Sequence, residues 1–159
     1  MTSVVWFVFT GLLLCVAVFD VTRYRIPNWA SLALIALFAG LLLWRHWEGW
    51  PWHLGAFALA LLLGFTFFAF RQVGAGDAKF FAAITLWAGF GALIPLLFWT
   101  GIAGLIELAV LLLARRLAEG RSGALPRVLA KRQGVPFGAG IALGAAIASF
   151  WFPAWLWAV

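Results

Sequence analysis

The sequence has too little charge to present a water-facing surface. Only 10% of its 159 residues are charged and 66% are apolar, whereas an average soluble domain carries about 25% charged residues. A soluble globular domain is therefore excluded, and the lipid bilayer must serve as solvent for most of the chain. Cysteine is nearly absent. The single Cys15 lies within the first apolar run, which excludes an internal disulfide and leaves no thiolate partner for a zinc site. It reads as a small apolar helix residue. Acidic residues number five (Asp20, Glu48, Asp77, Glu107 and Glu119), and the two histidines are His46 and His53. The first residues include no basic stretch and no small-residue cleavage pattern follows, so the first apolar run is expected to be a retained helix rather than a signal peptide. Nothing marks a second domain, a long repeat or a low-complexity tail, so 1–159 is expected to form one domain.

What the sequence does have is apolar runs, at about 4–19, 29–44, 54–70, 78–90, 93–114 and 136–152. Each is near the length that spans a bilayer. The stretch 80–114 is apolar throughout. As one helix it would measure about 52 Å, far more than the ~30 Å hydrocarbon core, so it must turn back. Gly89-Phe90-Gly91 and Pro95 are the expected break. The fold class is thus all-α, a polytopic membrane protein of about six transmembrane helices.

The net charge of +6 does not point to nucleic acid, because the basic residues sit in short clusters between apolar runs. Alternate connections carry Arg23, Arg25, Arg71, Lys79, Arg115, Arg116, Arg121, Arg127, Lys131 and Arg132, and the opposite side holds only Arg45. The positive-inside rule places the basic connections in the cytoplasm and both termini outside. The segment 45–53, with Trp44, Trp47, Trp50 and Trp52 in or beside it, is expected to be an outer interfacial loop. Small residues at Ala56, Ala60 and Gly64, at Gly101 and Gly104, and at Gly140 and Gly144 provide stripes on which helices can approach closely.

Asp20 ends the first helix and Asp77 begins the fourth. Those helices run in opposite directions, so chain parity alone brings both carboxyls to one membrane face. Ionisable groups at such places are functional candidates. Held about 4 Å apart at an effective dielectric of about 20, two carboxylates repel by about 4 kcal/mol, enough to keep one protonated near neutral pH. The ionised member could then activate a water while the other donates to a carbonyl. Gly74 and Gly76 are expected to permit unusual backbone conformations and close approach of an extended peptide. Blander roles exist for each residue. Asp77 could cap its helix, and Asp20 could pair with Arg23 or Arg25. Pro27, Asn28, Pro136, Phe137 and Gly138 could simply open helices, and Lys79 could be a positive-inside anchor. The two acids meeting on one face favour function. The histidines, expected about 30 Å away across the core, leave the carboxylates as thin ligation, so no metal and no cofactor is expected. Glu107, inside the fifth helix, is expected to bond across helices or to line the site.

At these residues the sequence resembles the prepilin peptidase family, membrane aspartyl proteases with a Gly-x-Gly-Asp motif. The matching stretches are Asp20 and Arg23 with Ile26-Pro27-Asn28, then Gly74-Ala75-Gly76-Asp77-Ala78-Lys79, then Pro136-Phe137-Gly138. The resemblance implies that Asp20 and Asp77 are the catalytic pair, with Gly74, Gly76, Lys79, Pro27, Asn28, Pro136, Phe137 and Gly138 binding substrate or supporting. It implies an endopeptidase of the bacterial inner membrane that acts at the cytoplasmic face. Its partners would be prepilin and pseudopilin precursors, each a short basic leader followed by an apolar helix. Larger members carry an extra N-terminal region with paired cysteines and methylate the new N-terminus. This chain looks like the short form that serves Flp-type, tight-adherence pili, so peptidase activity without methylation is expected. Two rival functions are a small proton-coupled transporter relaying through Asp20, Asp77 and Glu107, and a non-catalytic membrane scaffold.

Overall fold

The computed structural model describes residues 4–45, 48–118 and 135–153. Arg121, Arg127, Lys131, Arg132, Glu119 and His46 lie outside the described residues. Within them the protein is all-helical: α1 (Val4–Arg23), α2 (Asn28–Arg45), α3 (Trp50–Ala69), α4 (Ala75–Ala88), α5 (Leu93–Ala118) and α6 (Phe137–Ala148), followed by a 3-10 turn, Ser149–Trp151. Helices α1, α3 and α5 are long and apolar enough to cross a bilayer, and α2 and α6 are shorter apolar helices. Large apolar side chains such as Phe7, Leu14, Leu62, Phe65, Ile94 and Leu105 point outward, which is stable only against an apolar medium.

The 14-residue α4 is the centre of the bundle. Its buried residues include Phe80, Ala82, Ala83, Ile84, Leu86, Trp87 and Ala88. Trp87 sits between Phe9 of α1 and Phe38 of α2, at ring separations of 4.8 and 5.7 Å, and its Nε1 donates to the Leu34 carbonyl at 3.2 Å. Trp87→Phe keeps most of the buried area but forfeits that bond and part of the ring contact. It is expected to cost about 1–2 kcal/mol, read as a lowered unfolding midpoint in detergent.

The turn between α4 and α5 falls at Gly89-Phe90-Gly91, as the sequence predicts, but Pro95 lies inside the first turn of α5, where its missing N–H costs nothing. Gly89 has φ +61°, and a Cβ there would meet the His53 ring at 2.8 Å. His53 itself corrects an expectation. Helix α3 begins at Trp50 with Pro51 in its first turn, so Trp50, Trp52 and His53 belong to the helix rather than to an outer loop. The His53 ring is buried, stacks on Phe38 at 5.6 Å, and bonds the Leu86 carbonyl through Nδ1 at 2.8 Å.

Small residues set the helix spacing. A Cβ on Gly64 of α3 would lie 2.9 Å from the Ala78 Cβ of α4. Gly140 of α6 faces Gly104 of α5, and Gly144 faces the backbone of Trp99 and Thr100. Gly101 is not part of this seam, since a Cβ there would meet nothing within 4 Å.

Candidate active site

The site forms where the end of α1 and the starts of α4 and α6 converge. The last turn of α1 closes when the Tyr24 N–H donates to the Asp20 carbonyl at 2.8 Å, and Tyr24 adopts φ +53°. A left-handed residue just past a helix is an ordinary terminator, though it costs tyrosine about 1–2 kcal/mol more than glycine. The reversal carries Ile26 back across the site. There its side chain packs on two glycines: a Cβ on Gly76 would lie 3.3 Å from the Ile26 Cβ, and one on Gly138 would lie 2.5 Å from its Cδ1.

Asp20 is 5% exposed. Its Oδ2 accepts a hydrogen bond from the Ala139 N–H at 3.2 Å, one of the amides in the first turn of α6. Helix N-termini present unpaired N–H groups and a partial positive charge, so α6 supplies Asp20 with a fixed, oriented donor. Gly138 allows this approach, because its Cβ would stand 2.8 Å from the same Oδ2. Arg23 does not pair with Asp20; its guanidinium lies over the Phe19 ring at 4.8 Å.

Asp77 lies in the first turn of α4, three residues past the N-cap Gly74. Its carboxyl reaches back toward the Gly74 N–H, the half of a capping box in which an acid at N3 serves the N-cap amide. That placement suits a helix-capping role, which does not exhaust the residue. Asp77 and Asp20 line one cavity of about 250 Å³ together with Tyr24, Arg25, Ile26, Gly74, Gly76, Pro136 and Phe137. They are close enough for the charge of one to act on the other. Two separate stretches of sequence thus deliver their carboxyls to one pocket.

The two motif glycines do not adopt the unusual backbone conformations expected of them. Gly74 has φ −69° and ψ 145°, open to any residue, and among the described residues Gly89 is the glycine with positive φ. What Gly74 and Gly76 supply is room. A Cβ on Gly74 would stand 2.6 Å from the Asp77 Oδ2, and one on Gly76 would press on Ile26.

A model of the type IV leader peptidase family matches residues 7–109, about two thirds of the chain and both aspartates. The chain belongs to the type IV leader peptidase family. It is a peptidase by that membership, and its long apolar helices make it a membrane protein. No curated protein and no solved structure matches it.

In this leader peptidase the structure gathers Asp20, Asp77, Gly74, Gly76, Pro136 and Phe137 around one cavity, with Gly138 against Asp20. It sets Asn28 and Lys79 elsewhere, in a groove with Ser31, Leu32, Ile35, Phe57 and Leu61. Pro27 sits at the start of α2, where its carbonyl accepts from the Ala30 N–H at 3.1 Å. Sequence reasoning passed over Tyr24 and took Arg25 as an orientation charge or a partner of Asp20; both line the cavity. The one available signal was that Tyr24 is the only tyrosine in the chain. Among the described residues no group of three His, Cys, Asp or Glu is placed to hold a metal ion.

Proposed function

We propose that this protein is an aspartyl endopeptidase that removes the short basic leader of type IV or Flp-type prepilins and pseudopilins at the cytoplasmic face of the bacterial inner membrane. The observation that carries this reading is the meeting of Asp20 and Asp77 in one cavity. With one carboxyl ionised and one protonated, the pair divides the work of hydrolysis. The carboxylate takes a proton from a water as that water's oxygen attacks the scissile carbonyl carbon, and the protonated partner donates to the carbonyl oxygen. The tetrahedral intermediate collapses when the C–N bond breaks. The amine leaves with a proton, and the new carboxyl keeps the water oxygen. The pair titrates as a unit, so neither residue holds a fixed role.

Gly138 and Ile26 hold Asp20, Gly74 and Gly76 give access to Asp77, and Pro136 and Phe137 form the wall on the α6 side. Pro27 and Asn28 shape the turn that presents Ile26, and Lys79 anchors the interface. The chain crosses the membrane six times with both termini outside. Support for this orientation is the charge pattern in the sequence, since ten of the eleven basic residues fall in or near alternate connections.

The test is cleavage of a precursor with a basic leader by membrane vesicles holding the protein. Inverted vesicles, which expose the cytoplasmic face, are expected to release the leader, and the activity is expected to survive a metal chelator. Sealed right-side-out vesicles are expected to be inactive. Cleavage only from the outer face, or loss of activity on chelation, would overturn the proposal.

A further inference from the structure

Beside the aspartate cavity lies a second hollow, an apolar groove of about 330 Å³ between α5, α6 and the end of α1. Val21, Ile106, Val110, Leu111 and Leu143 line it, and Glu107 is its single acidic group. The groove and the aspartate cavity are continuous in the sense that Pro136 forms a wall of both. Ala139, whose N–H holds Asp20, also faces the groove.

Glu107 stands on helix α5 against the α5–α6 crossing. A Cβ on Gly140 would lie 2.7 Å from its Oε2. The Gly140 amide is close enough to act on the carboxyl, yet the buried Oε2 has no partner at hydrogen-bond geometry. An acceptor held in apolar surroundings without a donor is costly. Such an atom persists where something else supplies the donor.

A membrane-anchored peptide cut at Asp20 and Asp77 has the matching need. Around the scissile bond it must be extended, since a helix hides its carbonyls. Beyond that bond it must resume a helix to remain in lipid. The first four N–H groups of that helix have no partner of their own, and in hydrocarbon each is expensive. An apolar groove that starts at the cavity and carries one unsatisfied acceptor near that start complements such a segment in shape, polarity and sign, because helix N-termini favour negative charge.

We propose that the α5–α6 groove seats the apolar helix of the precursor just beyond the scissile bond, and that Glu107 accepts hydrogen bonds from backbone N–H groups of its first turn. This rests on the peptidase reading and adds to it the element that sets register. Glu107 is a positioning residue: it fixes which peptide bond reaches the aspartates.

The test compares two substrates, a full precursor and a peptide truncated shortly after the scissile bond. The wild-type protein should favour the full precursor. Glu107→Met removes the acceptor, and is expected to raise KM for the precursor by about tenfold with a much smaller change in kcat, shrinking the preference between the two substrates by the same factor. Glu107→Gln retains an acceptor oxygen and should restore KM to within about threefold. A photo-crosslinking residue in place of Leu143 should form an adduct with the precursor. If wild type cleaves neither substrate, the peptidase reading fails. If both are cleaved but Glu107→Met leaves the preference intact, or Leu143 crosslinks to lipid alone with precursor present, the groove proposal is overturned.

Discussion

Asp20→Asn and Asp77→Asn are each expected to lower kcat for leader removal by about 10³-fold or more while leaving a folded protein. Asparagine preserves the volume and one acceptor oxygen at each site, so the bond from the Ala139 N–H to position 20 has a replacement. What asparagine cannot do is take a proton from water or return one to a leaving amine. Because the two carboxyls act as a unit, the double variant should be hardly worse than either single one. Rates are read from the released leader by mass spectrometry, and integrity from size exclusion and circular dichroism in detergent. The local role of Asp77 gives this prediction a clear alternative. If Asp77 served only to cap α4, its replacement would cost about 1 kcal/mol of stability and leave turnover near normal. Normal processing of a prepilin by either variant, in cells lacking other leader peptidases, would sink the catalytic assignment.

Gly144→Ala is expected to destabilise the fold by about 3 kcal/mol, near the upper end for inserting a methyl group into a packed interface. The added Cβ would run into the backbone of Trp99 and Thr100 on α5. Backbone cannot rotate away as a long side chain can, so the two helices must separate. That shift would also loosen the Gly104–Gly140 crossing and lose the close dispersion contacts on which helix association in lipid relies. Gly101→Ala is the matched control. It lies on α5, in open space, and should be neutral or stabilising by about 0.5–1 kcal/mol because alanine is the better helix former. Unfolding midpoints in one detergent compare the two, and equal effects would refute the proposed seam.

Helix number and approximate position were legible in the sequence because apolar run length is a strong signal in a membrane protein. The turn at Gly89 was legible because a largely apolar stretch of 35 residues, 80–114, cannot form one crossing. Local chemistry was harder to see. The tryptophan-rich segment looked like a loop, yet proline at the start of α3 let the helix begin at Trp50 and buried His53. Composition could not reveal that, since the burial depends on Phe38 and the Leu86 carbonyl from other helices. The convergence of Asp20 and Asp77 could be argued from chain parity alone. The purpose of the glycines around them could not. Sequence suggests conformational freedom at Gly74 and Gly76, whereas the geometry gives them clearance for Asp77 and Ile26. Steric neighbours from distant stretches leave no local trace. The same reason hid Tyr24, whose place in the cavity follows from the reversal after α1.

The shortness of α4 has a consequence for the surrounding lipid. Its 14 residues give a rod of about 21 Å, whereas the hydrocarbon layer is about 30 Å thick. On the proposed six-span topology, either the leaflets pinch inward around this end of the bundle or Asp77 sits recessed beneath their surface, and both arrangements would lead water down to a depth from which it is normally excluded. A hydrolytic site served in this way would be tuned to the membrane as much as to its substrate. Acyl-chain length is then expected to influence turnover, with thicker bilayers slowing it by burying the reacting bond beyond the reach of solvent.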